Sequence, residues 1–310
     1  FRGVYPIKVN QQQQVIEEVT DFGARYHYGL EAGSKAELLA ALAYMKDPEA
    51  TLICNGYKDE EFITLVLYAV KMGVNALLVI ERPDELEQIL ACSKALGISP
   101  QLGVRIKLSS ESSGRWAESS GETSVFGLTT AQVMAVVDRL RECDMLDCLK
   151  MLHYHQGSQI PNISDIREAA TEASRIYIGL VAEGAAMGLL DMGGGLAVDY
   201  TGTQTESAAS RNYSLREYAT DVVEIVSNVC AEVGVAHPDI ITESGRAIAA
   251  YYSVLVFNIL DVNQTPSISP LPPLPEDAHD ILHNLTAVDK NFNSYSLQEL
   301  HNDAVYYRET

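Results

Sequence analysis

Positive charge is scarce in this 310-residue chain. Its 22 Lys and Arg face 42 Asp and Glu, a formal net charge of −20 at pH 7. A surface that acidic argues against non-specific nucleic-acid binding and against docking on anionic lipid. Long apolar runs are missing too: none approaches the roughly 18 to 20 residues of a membrane helix. No signal-peptide pattern is visible. The chain opens on Phe1 rather than Met, so an N-terminal segment is expected to be missing. Cysteine is sparse. Cys54, Cys92, Cys143, Cys148 and Cys230 include no pair with the two-residue gap of zinc or redox motifs. Reduced thiols in a cytoplasmic protein are the expectation.

What remains suits a sizeable core. Hydrophobic residues make up 47% of the chain, and the length allows two average domains or one large barrel with an appendage. Short apolar runs at 4–10, 26–32, 51–56, 76–80, 102–108, 149–156, 189–194 and 240–243 read as strands. Helix-period segments fill the gaps. Val15, Ile16, Val19 and Phe22 share one face, as do Phe62, Leu65, Val66 and Ala69, and Val133, Val136, Val137 and Leu140. Ser34 with Glu37, and Ser214 with Glu217, read as capping boxes. Pro83 reads as the opening of a helix that ends before Gly97, and Ser164 as the N-cap of a long helix ending near Gly188. Eight strands separated by seven helices predict a parallel (β/α)₈ barrel over residues 1–250, with a doubly wound open sheet as the rival.

After Arg246 the rhythm changes. YYSVLVFNILDV alternates like an antiparallel strand, which predicts the first strand of a C-terminal β domain at 251–264. TPSISPLPPLP follows and carries Pro266, Pro270, Pro272, Pro273 and Pro275. Such a stretch is extended and enters neither a helix interior nor a central strand. Residues 265–310 read as a Pro-rich linker and the start of a helical insertion, with the domain incomplete.

The chemistry sits where barrel strands end, which is where active sites of this architecture assemble. Lys8 in YPIKVN ends the first strand. A strand lysine in apolar surroundings has a depressed pKa and can form a Schiff base, although an ordinary strand-end lysine has the same signature. His155 in HYHQGSQ ends the sixth, on the same face as His153 and opposite Tyr154. A lone histidine there is commonly a satisfied core residue, but Gly157 and Ser158 follow and can donate to an anion. Gly193, Gly194 and Gly195 follow the seventh strand, and three glycines let backbone amides converge on a phosphate, or simply make a turn. Glu243, Gly245 and Arg246 in ITESGRA follow the eighth. A buried carboxylate there needs a partner, and a protonated heterocyclic nitrogen is one. Together these residues fit pyridoxal 5′-phosphate (PLP): phosphate to the glycines and Ser158, aldehyde to Lys8, ring on His155, ring nitrogen to Glu243.

Lys8 in YPIKVNQ, Glu31 in GLEAGSKAEL, Asn55 in CNGYKDEEFI, Arg115 in SSGRW, His155 in HYHQGSQ, the glycines of DMGGGLAVDYTGT and Glu243 in TESGRAI occur in that order. This ordered set resembles the fold-type III (alanine-racemase-like) PLP-dependent decarboxylases. Within them it is most similar to the biosynthetic arginine decarboxylase branch of bacteria and plants, from Phe1 to about Val262. The resemblance implies decarboxylation of L-arginine to agmatine and CO₂, the first step of a route to putrescine and spermidine. It implies that Lys8 holds the cofactor covalently and that Glu31 sits close to Lys8 and the ring. Arg115 approaches the phenolic oxygen, His155 stacks on the ring, and Glu243 pairs with its nitrogen. Ser158, Gly193, Gly194, Gly195, Gly245 and Arg246 hold the phosphate. It further implies a homo-oligomer with a shared active site, and Mg²⁺, for which the sequence offers no assignable ligands. Val125 and Gln156 depart from the family's pattern. A Cys-Asp segment, a Tyr near the phosphate and the distal substrate contacts belong to a C-terminal domain absent from these residues. The alternatives are decarboxylation of ornithine, lysine or diaminopimelate, a non-catalytic PLP-binding regulatory barrel, and a PLP-free barrel hydrolase.

Overall fold

Parallel strands cannot be joined by tight hairpins, so each apolar run here must be followed by a crossover. In the computed structural model, which describes residues 1–110, 124–263, 273–290 and 297–309, each crossover contains a helix. Strands β1 (Arg2–Pro6), β2 (Gly29–Ala32), β3 (Thr51–Cys54), β4 (Asn75–Ile80), β5 (Leu102–Arg105), β6 (Leu149–His153), β7 (Leu189–Asp191) and β8 (Asp239–Thr242) pair in chain order and close into a barrel. All pairings are parallel, and β1 meets β8 through Arg2↔Ile241 and Gly3↔Thr242. The open-sheet rival is thereby excluded.

Helices α1 (Gln13–Gly23), α2 (Lys35–Tyr44), α3 (Glu60–Lys71), α4 (Glu85–Leu96), α5 (Thr130–Glu142), α6 (Ile163–Ala182) and α7 (Leu215–Glu232) fill the seven gaps, and α8 (Gly245–Ala249) follows β8. Inside the barrel, Val4, Ile53, Leu77, Val79, Met151 and Ile241 pack together. The larger cluster lies between strands and helices; Phe62, Ile63, Val66 and Leu67 of α3 are fully buried there. Burial of each such side chain contributes about 1.5–3 kcal/mol.

Local signals set the helix ends. Ser214 and Glu217 make the reciprocal capping box, and Thr129 with Gln132 makes another at α5. Ser34 caps Glu37, but the Glu37 carboxylate turns back to the Gly33 N–H instead. At α6 the cap is Asn162 rather than Ser164, and the helix stops at Ala182. Phe22 leaves the buried face of α1 and lies exposed under the Arg25 guanidinium.

The chain divides into two units, Phe1–Val254 and Leu255–Thr310. The second holds α9 (Asp280–Lys290) and α10 (Leu297–Glu309). The strand expected at 251–264 does not form over its described residues, 251–263: residues 253–263 have no regular structure, and Leu255, Val256, Phe257, Ile259 and Leu260 are exposed. A strand is held by its ladder, and no partner strand flanks this segment among the described residues.

Candidate active site

Lys8 does not sit on a strand. The β1 ladder ends at Pro6↔Glu31, and residues Ile7–Val9 form a 3-10 turn that lifts the lysine over the barrel's C-terminal rim. Its Nζ donates to both oxygens of Glu31, at 3.2 and 3.1 Å. Glu31 is fully buried, while 53% of the Lys8 side chain is exposed, into a cavity. The expected depressed lysine is therefore corrected. Burial pulls its pKa down, but Glu31 and then Glu243 hold the ammonium above its ordinary value. Glu31 is itself pushed up to about 7, chiefly by burial and by Glu243, with Lys8 opposing. Lys8 stays an ammonium because half of its side chain keeps its water and two carboxylates face it.

Across the rim, His155 and Glu243 face the same space. His155 accepts the Gly157 N–H at Nδ1, 3.1 Å. Burial, then Arg105, His153 and Lys8, push its imidazole down to about 3, so the ring is neutral. Glu243 is buried, and its Oε1 accepts a 2.8 Å hydrogen bond from Asn55 Nδ2. Its pKa is raised to about 7 by burial and by Asp191, against His153, Lys8 and Asn55. Tyr154 points the other way, into the outer core, as alternation requires.

The third feature is a small-residue cradle. Gly193 has φ +63° and Gly195 φ +105°, and a Cβ on Gly194 would lie 3.2 Å from His155 Nε2. Beside it, the Arg246 guanidinium donates twice to Ser158 Oγ, at 3.2 and 3.0 Å, and once to Tyr200 OH. Gly245 allows close approach to β1: a Cβ there would meet Pro6 at 2.7 Å. Gln156 is buried, and its amide donates to the Asp165 carbonyl at 2.8 Å, tying this loop to α6.

A cavity of about 640 Å³ joins these features; Lys8, His155, Ser158, Gly194, Gly195, Glu243, Gly245 and Arg246 line it. That is within the range of cofactor pockets. Gly193, the first residue of the cradle, does not line the cavity itself. A smaller cavity of about 140 Å³ adjoins Lys8 and His155, and adds Glu31, Asn55, Arg105 and His153. Arg115 lies outside the described residues. Arg105, which sequence reading passed over, faces the smaller cavity and pairs with Glu81 at 2.6 Å. Asn55 was named among the ordered motifs but given no role, and Asp191 and Tyr200 were passed over as site residues; only their place at a strand end or rim loop could have flagged those two.

The residues fit a PLP-sized anionic heterocycle. Glu243 is a buried carboxylate that lines the cavity and accepts the Asn55 amide, and Asn55 Oδ1 beside it has no hydrogen-bond partner. Arg246, Ser158 and the glycines present donors and open space at the opposite end. A metal ion fits less well. Among the described residues, the group close enough to hold one is His153, Asp191 and Glu243, all buried. Mg²⁺ prefers an octahedron of oxygens that includes several waters. A dry cluster containing an imidazole does not supply that.

Residues 1–250 match the family model described as pyridoxal-dependent decarboxylase, pyridoxal binding domain. The chain is 46% identical over 308 residues to the biosynthetic arginine decarboxylase of Thermosynechococcus vestitus, covering 99% of this chain and 48% of that protein. It is 52% identical over 260 residues to that of Parasynechococcus marenigrum, covering 84% and 40%. Among solved structures, the biosynthetic arginine decarboxylase of Campylobacter jejuni superposes with a TM-score of 0.73 at 35% identity, covering 100% of this chain and 51% of that one. Diaminopimelate decarboxylase of Helicobacter pylori, at 22% identity and TM-score 0.62, shares the fold. The chain spans about half the length of the curated relatives it matches. Its closed barrel and family match together place it among the pyridoxal-dependent decarboxylases, whose pyridoxal-binding domain it carries.

Proposed function

We propose that the protein carrying this chain decarboxylates L-arginine to agmatine and CO₂ with PLP bound in the 640 Å³ cavity. The observation that carries the reading is convergence: an amine, a neutral imidazole, a buried carboxylate and an Arg–Ser pair line one cavity. Bound PLP supplies a conjugated, protonated ring that accepts the electron pair left when the carboxylate departs.

The chain's own residues do the rest. Lys8 Nζ is the amine that holds the cofactor's aldehyde carbon, and Glu31 keeps it placed and protonated until then. Neutral His155 offers its ring face without adding charge beside the cofactor. Glu243 accepts the ring nitrogen's N–H and keeps that proton in place, with Asn55 fixing its orientation. Ser158 and Arg246, with Gly193–Gly195 leaving room for backbone donors, hold the phosphate and so set the ring's direction. Gly245 lets this end close against β1.

The choice of arginine rests on the relatives' names. An activity panel tests it: purified protein loaded with PLP, then CO₂ release from arginine, ornithine, lysine and diaminopimelate. Arginine should lead by at least tenfold. A lead for another amino acid would reassign the substrate, and no release with PLP bound would favour a regulatory barrel. Lys8→Ala should abolish the borohydride-trapped adduct, and an adduct on a different lysine would sink the assignment.

All five cysteines are free, which supports a reducing compartment such as the cytoplasm; among the described residues no helix is long and apolar enough to cross a membrane. A homo-oligomer with a shared active site rests on the likeness to the family.

A further inference from the structure

Asp191 ends β7 directly behind Glu243 and lines neither cavity. Resting on the reading of Glu243 as the ring-nitrogen partner, we propose that Asp191 is a positioning residue that holds a proton beside Glu243, leaving the Glu243 carboxylate ionised toward the cavity.

The geometry requires a proton somewhere. Asp191, Glu243 and His153 offer ligand atoms all within 4.8 Å of one another, and all three are buried. Two carboxylates that close and that dry do not both ionise without a cation between them. The nearby cations are engaged elsewhere: Lys8 with Glu31, and Arg105 with Glu81. His153 does not fill the gap, because burial pushes its imidazole down to about 4. One carboxyl therefore carries the proton.

Position decides which. Glu243 faces the cavity and Lys8, and accepts the Asn55 amide. Asp191 Oδ1 accepts the Gly193 N–H at 2.9 Å. Its Oδ2 has no aligned donor: His153 Nδ1 stands 2.8 Å away but out of line, and both atoms lack a hydrogen-bond partner. An O–H on Oδ2 satisfies this pocket, and an anion there does not. The other groups facing Asp191 are Glu31, Arg105 and the Tyr154 and Tyr218 hydroxyls; those facing His153 include Glu81. Burial raises the Asp191 and Glu243 carboxyls alike, each to about 7, so the hydrogen-bond geometry and not the titration separates them. One side chain thus anchors the Gly193 turn and sets the charge of Glu243.

The test uses the cofactor-free chain. Asp191→Asn is an isostere of the protonated acid and cannot titrate. Infrared difference spectra, wild type minus Asp191→Asn at pH 6, should contain the carbonyl stretch of a protonated carboxylic acid. A difference containing only carboxylate bands would overturn the proposal. Thermal midpoints supply a second reading. A raised folded-state pKa means that stability present below about pH 4 is lost as pH rises through about 7. Asp191→Asn should therefore gain on wild type between pH 5 and pH 8, whereas a merely structural role gives the same offset at both. If Asp191→Asn fails to fold, Glu243→Gln serves. With its anionic neighbour neutralised, Asp191 should lose its proton at lower pH, and an unchanged acid band would refute the pairing. Neither reading involves PLP or arginine, so a failed substrate panel and a failed proton assignment are distinguishable.

Discussion

Asn55 Nδ2 donates to Glu243 Oε1 at 2.8 Å, across the barrel mouth and 188 residues apart in sequence. The bond fixes one oxygen of a carboxylate that lines the cavity. A hydrogen bond to a charged group contributes about 1.5–3 kcal/mol, so its loss is felt as tenfold or more in an equilibrium that depends on ionised Glu243. Asn55→Ala should weaken PLP binding by about that factor, read by absorbance titration. Unchanged affinity would mean that Glu243 is oriented by its strand alone.

Glu31 sets the proton on Lys8. The ammonium lies above its ordinary value because Glu31 and Glu243 more than offset its burial. Glu31→Gln removes the first-named anion, so the lysine should lose its proton at lower pH. The rate of cofactor capture, followed by absorbance, depends on the neutral amine. Its half-maximal pH should therefore fall in Glu31→Gln. A midpoint that stays put or rises would show that Glu31 does not hold the proton.

Much of this site was legible before any fold was known. Lys8, His155, Glu243 and the glycines announce themselves by residue type at strand ends. Strand lengths did not, because the apolar pattern runs past the ladder. Ile7 and Val9 continue the alternation of β1, yet pairing stops at Pro6, and the lysine belongs to the turn beyond. The same overshoot occurs at β6 and β7, whose last residues are His153 and Asp191. Asp191 was missed because a strand-end acid reads as a turn residue until closure brings β6, β7 and β8 together. Tyr251–Val262 fails in the opposite way: alternation marks a face suited to burial, but without a ladder partner the face stays open.

The two adjacent glycines should respond differently. Gly194 has an ordinary backbone, and an added Cβ would sit 3.2 Å from His155 Nε2 and 3.3 Å from the Glu243 carbonyl. Gly194→Ala should fold, with a thermal midpoint close to wild type, yet bind PLP about tenfold more weakly because the imidazole is displaced. Gly193 has φ +63° and lies 2.5 Å from the Tyr154 carbonyl at its virtual Cβ. Gly193→Ala should lose about 1–3 kcal/mol of stability, the range for a strained backbone position. Equal midpoints for the two variants would contradict this separation.

A buried ion pair supports the rim from behind. Lys58 is fully buried; its Nζ donates to the Gly56 carbonyl at 2.7 Å and lies 3.4 Å from Glu85. The Glu85 carboxylate accepts the Glu81 N–H at 2.8 Å, and Glu81 in turn binds the Gly56 N–H and Arg105. The chain of contacts thus runs from the β3–α3 loop through the first turn of α4 to the Arg105 guanidinium at the smaller cavity. Removing one partner of such a pair strands a charge in a dry place, at about 3–5 kcal/mol. Lys58→Met should therefore lower the thermal midpoint on the order of 10 °C for a domain of this size. Burial already raises the Glu85 carboxyl against the pull of Lys58, so the loss should grow as pH rises from about 4 to 8, where the stranded group is forced to ionise. Adding Glu85→Gln removes the stranded charge and keeps an acceptor for the Glu81 N–H, so the double variant should recover part of the midpoint and flatten its pH dependence. A single variant that melts within 1–2 °C of wild type would show that water or a shifted side chain satisfies Glu85, and that Arg105 is placed without this chain of contacts.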